Sequence, residues 1–135
     1  MPAERSDHMD KVTPARLQEK KIRGQKIVVL TAYSYSMAKA ADAAGRADCL
    51  LVADSLGVVH LGYSNTLAIT LEEILHHTKA VARARPRAMV VADMPYLTYE
   101  VSPMDAARNA GRLLKEGSSD AVKVRGGQAI LRSIE

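Results

Sequence analysis

Apolar, β-branched runs alternate with helix-forming stretches along this chain of 135 residues. The four apolar runs cover residues 26–31, 49–53, 88–92 and 121–124. A helical pattern follows each of the first three runs, and a last helix is expected to begin after Gly126-Gly127. Runs that are apolar throughout are typical of strands buried on both faces. The pattern therefore predicts a parallel sheet covered by helices, which is the α/β class.

Polar N-terminal caps predict where the helices begin. The chain offers three of them: Thr13 before Pro14, Thr70 with Glu73 three residues later, and Ser102 before Pro103. A long loop through Gly57 and Gly62 is expected between the second strand and the helix that starts at Thr70.

Strand and helix alternation alone leaves two architectures open, an open doubly wound sheet and a closed barrel. A (β/α)8 barrel needs about 250 residues, roughly twice the length of this chain, so four β/α units would make half a barrel. Such a half would leave two strand edges and an apolar face uncovered. Residues 1–12 are expected to be a flexible N-terminus, and residues 13–135 are expected to form the domain.

Composition excludes several functional classes. The chain is 47% hydrophobic and 25% charged, which is typical of a soluble globular domain. It has one cysteine, Cys49, in an apolar run, so we expect a buried thiol and no internal disulfide. No apolar stretch is long enough for a membrane span or a signal peptide, and we therefore expect a cytoplasmic protein. The charge of +4 is scattered along the chain, which argues against a nucleic-acid partner.

Two carboxylates follow apolar runs directly, Asp54 after the second and Asp93 after the third. In parallel α/β proteins this end of a strand faces the active site. The fourth strand adds Lys123 and Arg125 in the same region. Two converging carboxylates form a reasonable site for a hard cation, although an aspartate at this position is also a common helix cap.

Several segments occur in the order seen in the ketopantoate hydroxymethyltransferase family, which the chain resembles from about residue 12 to its end. These segments are Leu30-Thr31-Ala32-Tyr33, Val52-Ala53-Asp54-Ser55-Leu56-Gly57, Leu61-Gly62-Tyr63, Thr66-Leu67, His76-His77-Thr78-Lys79-Ala80-Val81, Val91-Ala92-Asp93-Met94-Pro95 and Ala121-Val122-Lys123. The resemblance implies a (β/α)8 TIM barrel of the phosphoenolpyruvate/pyruvate superfamily. This chain would form its first four β/α units.

The resemblance also implies a reaction. A hydroxymethyl group passes from 5,10-methylenetetrahydrofolate to 3-methyl-2-oxobutanoate through a Mg²⁺-stabilised enolate. Asp54 and Asp93 resemble the metal ligands, and Asp54, Ser55, Asp93 and Lys123 resemble the residues that bind the oxoacid. The partners implied are thus a small 2-oxoacid, a folate and other copies of the chain, with no membrane and no nucleic acid. The family's catalytic base is a glutamate in the second half of the barrel, so no catalytic residue is assigned here.

One residue departs from the family pattern in the expected site. Arg125 stands before the double glycine, where the family has glutamate, and this reversal of charge is expected to weaken Mg²⁺ binding. Two hypotheses follow, a hydroxymethyltransferase and a catalytically inactive half-barrel remnant or interaction module of the same family. An isocitrate-lyase-like enzyme that splits a carbon–carbon bond is a more distant alternative.

Overall fold

A computed structural model describes residues 10–135 of the chain. Its centre is a parallel four-stranded sheet in the order β1-β2-β3-β4. The strands are β1 (Val29–Thr31), β2 (Cys49–Val52), β3 (Met89–Asp93) and β4 (Ala121–Lys123). Sequential strands are therefore neighbours, which confirms the α/β class and places all four carboxyl ends at one edge of the sheet.

Five α-helices and two short 3-10 helices accompany the sheet in the described part of the chain. The α-helices are α1 (Pro14–Ile22), α2 (Tyr35–Ala43), α3 (Leu56–Val59), α4 (Leu71–Arg83) and α5 (Pro103–Lys115), and the 3-10 helices cover Thr66–Ala68 and Gln128–Ser133. The side chains of Thr13, Thr70 and Ser102 cap α1, α4 and α5 as predicted. At α4 the capping box is complete, because Glu73 also accepts the backbone N–H of Thr70.

Two expected elements differ in the structure. The segment between β2 and α4 was expected to be a long loop, but it contains α3 and the first 3-10 helix. Gly57 suggested a loop, but it lies inside α3, where a Cβ would come to 3.1 Å from the ring of Tyr63. The last helix is a 3-10 helix and not an α-helix.

The main core lies between the sheet and its helices, and a smaller cluster closes the amino end of the strands. In the smaller cluster Val12 packs with Cys49 and Met89. Cys49 is buried as expected, and burial raises the pKa of its thiol. Of the segment predicted to be flexible, residues 1–9 lie outside the described residues, whereas the Val12 N–H donates to the Arg87 carbonyl at 2.8 Å.

The two outer strands each pair on one side only within residues 10–135. Every residue of β1 is exposed, and half of the Val29 surface is accessible to solvent. Among the described residues, no helix is both long and apolar enough to cross a membrane.

Candidate active site

Asp54 and Asp93 lie together at the carboxyl edge of the sheet. Strands β2 and β3 pair in parallel with Val52 opposite Ala92, so the residues that follow them are brought to the same place. The backbone N–H of Asp54 donates to Asp93 Oδ2 at 3.1 Å. The Asp93 side chain is 2% exposed, so its charge requires partners inside the protein.

Lys123 supplies the first of these partners. It ends β4 directly opposite Asp93, and its Nζ donates to Asp93 Oδ1 in an ion pair. Sequence reasoning placed Lys123 beside the two carboxylates, and the register of β3 and β4 accounts for the contact.

Arg125 supplies the second partner and joins both carboxylates. Its Nη2 donates to Asp54 Oδ1 at 2.5 Å and to Asp93 Oδ2 at 2.9 Å. We call Asp54, Asp93, Lys123 and Arg125 the strand-end cluster. It contains two negative and two positive groups, so it is neutral as a whole. The sequence placed Arg125 in this region without predicting either ion pair. The sequence offered one indication of these contacts. Arg125 lies two residues after Lys123, and in an extended chain such residues point to the same side.

Tyr99 holds the backbone of Arg125. Its hydroxyl donates to the Arg125 carbonyl at 3.0 Å and accepts the Arg125 N–H at 3.2 Å. Tyr99 is buried, and burial raises the pKa of its phenol. The hydrogen bond to Asp54, reinforced by the charge of Asp93, raises the pKa of the Arg125 guanidinium. The clamp and the ion pairs therefore hold a permanent positive charge in place.

Ser55 follows Asp54 in the sequence, but its side chain contacts Tyr33 and not the strand-end cluster. Its hydroxyl shares a hydrogen bond of 2.8 Å with the hydroxyl of Tyr33. The carbonyl of Tyr33 in turn lies 2.6 Å from Nδ1 of His77. The rings of His60 and His77 meet edge to face at 5.3 Å. The sequence assigned no role to these two histidines, and here they support the loop that carries Tyr33.

Comparisons with known proteins place the chain in a family. The sequence profile of the family described as ketopantoate hydroxymethyltransferase matches residues 11–135. The chain belongs to the ketopantoate hydroxymethyltransferase family. The matched range spans the strand-end cluster, Ser55 and Tyr99, although Arg125 departs from the residue expected for the family.

Curated relatives in this family carry the name 3-methyl-2-oxobutanoate hydroxymethyltransferase. The protein from Moorella thermoacetica is 54% identical over 124 residues, which are 92% of this chain and 46% of the relative. The protein from Carboxydothermus hydrogenoformans is 56% identical over 122 residues, which are 90% of this chain and 44% of the relative. The chain thus spans about half the length of the curated relatives it matches.

Solved structures with a similar fold include a 2,3-dimethylmalate lyase, described as a PEP mutase/isocitrate lyase superfamily member. It aligns with a TM-score of 0.61 at 19% identity, over 85% of this chain and 40% of that one. An oxaloacetate acetylhydrolase in complex with oxalate aligns with a TM-score of 0.62 at 16% identity, over 91% and 43%. At such identities the likeness concerns the fold alone. It favours the barrel over the open sheet, with this chain as the first four units.

The ketopantoate hydroxymethyltransferase resemblance implies Mg²⁺ between Asp54 and Asp93, and the residues present can be tested for that ion. A single guanidinium nitrogen already bridges the two carboxylates, and Lys123 pairs with one of them. A divalent cation placed there would meet a positive group within hydrogen-bonding distance. Within residues 10–135, no group of three or more histidine, cysteine or acidic side chains is arranged to hold a metal. These residues therefore do not fit a resident Mg²⁺ while Arg125 lies between the carboxylates.

A cavity of about 710 Å³ opens near the amino ends of the strands, at the opposite end of the sheet from the strand-end cluster. Its lining includes Asp48, which precedes β2, and Arg87, which precedes β3. Some of the charged groups here are paired, as Lys20 is with Asp48 at 2.7 Å. This end of a barrel serves stability, whereas the carboxyl end carries the chemistry.

Proposed function

We propose that this chain forms the oxoacid-binding part of a ketopantoate hydroxymethyltransferase, with 3-methyl-2-oxobutanoate as the acceptor. The observation that carries the proposal is the convergence of the strand-end cluster in a chain that the family matches over residues 11–135. The acceptor is taken from the relatives, which are named 3-methyl-2-oxobutanoate hydroxymethyltransferases. The donor in this proposal is 5,10-methylenetetrahydrofolate.

The cationic groups of the cluster suit a 2-oxoacid. Arg125 uses Nη2 for the two aspartates, and its side chain is 54% exposed, so further N–H groups face solvent. A guanidinium with free donors binds carboxylates well because its planar fork matches their geometry. Lys123 is partly exposed and adds a second positive charge. In this proposal Arg125 and Lys123 bind the carboxylate and keto oxygens of the oxoacid. Asp54 and Asp93 hold these two cationic side chains in position.

Ser55 completes the proposed oxoacid site. Ser55 follows Asp54 directly, and a hydrogen bond with Tyr33 orients its hydroxyl. Mg²⁺ is left out of this proposal because Arg125 lies between the carboxylates that would bind the ion. The base that removes the C3 proton is also assigned to no residue of this chain, since the resemblance gives that role to the second half of the barrel.

Binding of the oxoacid is tested by NMR on the isotopically labelled 135-residue protein. Addition of 3-methyl-2-oxobutanoate should shift the backbone signals of Asp54, Ser55, Asp93 and Arg125 in a saturable manner. The matched ligand 3-methylbutanoate lacks the keto oxygen and should bind more weakly. Shifts of equal size with both acids, or shifts spread over the surface, would contradict the proposal.

Variants localise the binding. Lys123→Met should weaken it about tenfold or more, because a hydrogen bond to a charged group is worth about 1.5–3 kcal/mol. Lys39→Met is the matched control, since Lys39 lies on α2 near the ring of Tyr35 and away from the cluster. Equal affinity in the Lys123→Met and Lys39→Met proteins would show that the acid binds elsewhere.

Binding without turnover is the second candidate function, and Arg125 is the observation that favours it. A folate-coupled assay on a fusion of this chain with the second half of the Moorella relative separates the two candidates. Turnover by the fusion favours the hydroxymethyltransferase. Oxoacid binding with no turnover favours a binding module of the same family.

A further inference from the structure

Arg125 lies where a cation shared by Asp54 and Asp93 would lie. One nitrogen, Nη2, contacts an oxygen of each carboxylate, and these carboxylates come from neighbouring strands. The backbone N–H of Asp54 also contacts Asp93 Oδ2, so both acids are fixed around the same point. The guanidinium therefore bridges the pair as a bound cation would.

The backbone on both sides of Arg125 restricts how far this side chain can move away. Tyr99 binds both polar groups of the Arg125 backbone. Gly126 follows with a φ of 142°, a conformation that favours glycine, and a side chain at this position would approach Ile130 to 3.0 Å. The backbone of Arg125 is thus held in place, and its guanidinium is held by the two aspartates.

We propose that Arg125 is the resident cation of this site, and that Asp54 and Asp93 bind a divalent metal only when the guanidinium is removed. The physical reason is competition for the same oxygens. With Arg125 in place the cluster is neutral, and an added divalent ion would have to displace a hydrogen-bonded charge. This inference goes beyond the proposed function, since it holds for whatever acid the site binds.

The chain contains a matched control in Arg112. Its guanidinium also bridges two carboxylates, those of Glu72 and Glu116, at 2.6 and 2.8 Å. These groups lie on the outer surface of α4 and the end of α5, where Glu72 and Glu116 are exposed and Arg112 is partly exposed. Removing Arg112 therefore changes the charge of the protein as removing Arg125 does, without opening the strand-end cluster.

The experiment measures Mn²⁺ binding by the loss of the free-ion electron paramagnetic resonance signal. The proteins are the wild type, Arg125→Gln, Arg125→Lys and Arg112→Gln, with no oxoacid present. Arg125→Gln should bind Mn²⁺ at least about tenfold more tightly than the wild type, because two carboxylates lose a competing positive charge. Arg112→Gln should bind no better than the wild type. Arg125→Lys keeps the charge and should still exclude the ion.

Two further measurements keep the result clear. Mn²⁺ should raise the melting temperature of Arg125→Gln and leave that of the wild type unchanged. Asp54→Asn added to Arg125→Gln should abolish the gained binding. Tight binding by the wild type, or no binding by a folded Arg125→Gln protein, would overturn the inference. Since no oxoacid is present, this outcome is independent of whether the proposed function is correct.

Discussion

Asp48 is the most buried acid at the amino end of the sheet, opposite the strand-end cluster. Both of its carboxylate oxygens accept from Lys20 Nζ at 2.7 Å, and one accepts the Val28 N–H at 2.8 Å. Burial by itself would raise the pKa of this carboxyl, but the hydrogen bonds from Lys20 and Val28 outweigh it. The pKa of Asp48 is therefore lowered in the folded protein.

This lowered pKa predicts how stability depends on pH. A carboxylate whose pKa is lower in the folded state stabilises the fold above its unfolded pKa, and the effect is lost as the pH falls through the folded value. Asp48→Asn should cost about 1–3 kcal/mol of unfolding free energy near pH 7, since it leaves Lys20 unpaired. In urea melts the gap from the wild type should narrow near about pH 3. A gap that does not change with pH would show that the ion pair adds no stability.

At the same scale, the sequence predicted some site residues better than others. Asp54, Asp93 and Lys123 were predictable because each follows or ends an apolar strand, and parallel strands bring their carboxyl ends together. The ion pairs of Arg125 were not, because Arg125 and Asp54 are 71 positions apart in the sequence. Which side chain meets which across a sheet edge depends on register and loop shape, and no local pattern of residues encodes either.

Among the elements, α3 depends on the absence of a side chain at one position. A Cβ at Gly57 would lie 3.1 Å from Tyr63 Cδ2 and 3.5 Å from Ile69. The ring of Tyr63 cannot move away freely because its hydroxyl donates to Glu73, which belongs to the α4 capping box. Gly57 therefore fixes how closely α3 packs on the segment before α4.

Two helical glycines give a matched prediction. Gly57→Ala should destabilise the protein by about 1–3 kcal/mol, because overpacking forces neighbouring side chains to shift. Gly111→Ala should stabilise it by about 0.5–1 kcal/mol, because Gly111 lies on α5 with nothing within 4 Å of an added Cβ. Urea unfolding of both variants measures the difference. A gain in stability from Gly57→Ala would show that the contact with Tyr63 relaxes easily.

Helix starts that depend on local hydrogen bonds could be predicted from the sequence, whereas a helix that depends on tertiary packing could not. The starts of α1, α4 and α5 were predictable because a cap and its partner lie within three residues of each other. Helix α3 was not, because it is four residues long and contains a glycine required by distant neighbours. Local hydrogen bonds are encoded locally, whereas the packing that selects Gly57 is tertiary.

At the scale of the whole molecule, the sheet has an exposed outer strand. Half of the surface of Val29 and 41% of that of Leu30 are accessible in β1. Unpaired strand edges with apolar side chains promote association. The 135-residue protein should therefore self-associate in sedimentation velocity experiments, and Val29→Lys should reduce the association.

Val101→Lys is the control for this prediction. Val101 is 66% exposed, but it lies outside the strands. The Val101→Lys variant should change the charge of the protein by the same amount as Val29→Lys and leave self-association unchanged. Equal effects of the two variants, or a wild type that sediments as a single monomer, would contradict a role for the edge of β1.

The contacts of Arg125 link residues at the carboxyl ends of β2, β3 and β4, and a double-mutant cycle measures them most directly. The cycle compares the unfolding free energies of the wild type, Arg125→Gln, Asp93→Asn and the double variant. Arg125 is half exposed, and solvent screens part of the attraction, but Asp93 is 2% exposed. A coupling free energy of about 1 kcal/mol or more is predicted between the two residues. Effects that add to within about 0.3–0.5 kcal/mol would contradict the assignment of Arg125 as the cation of this site.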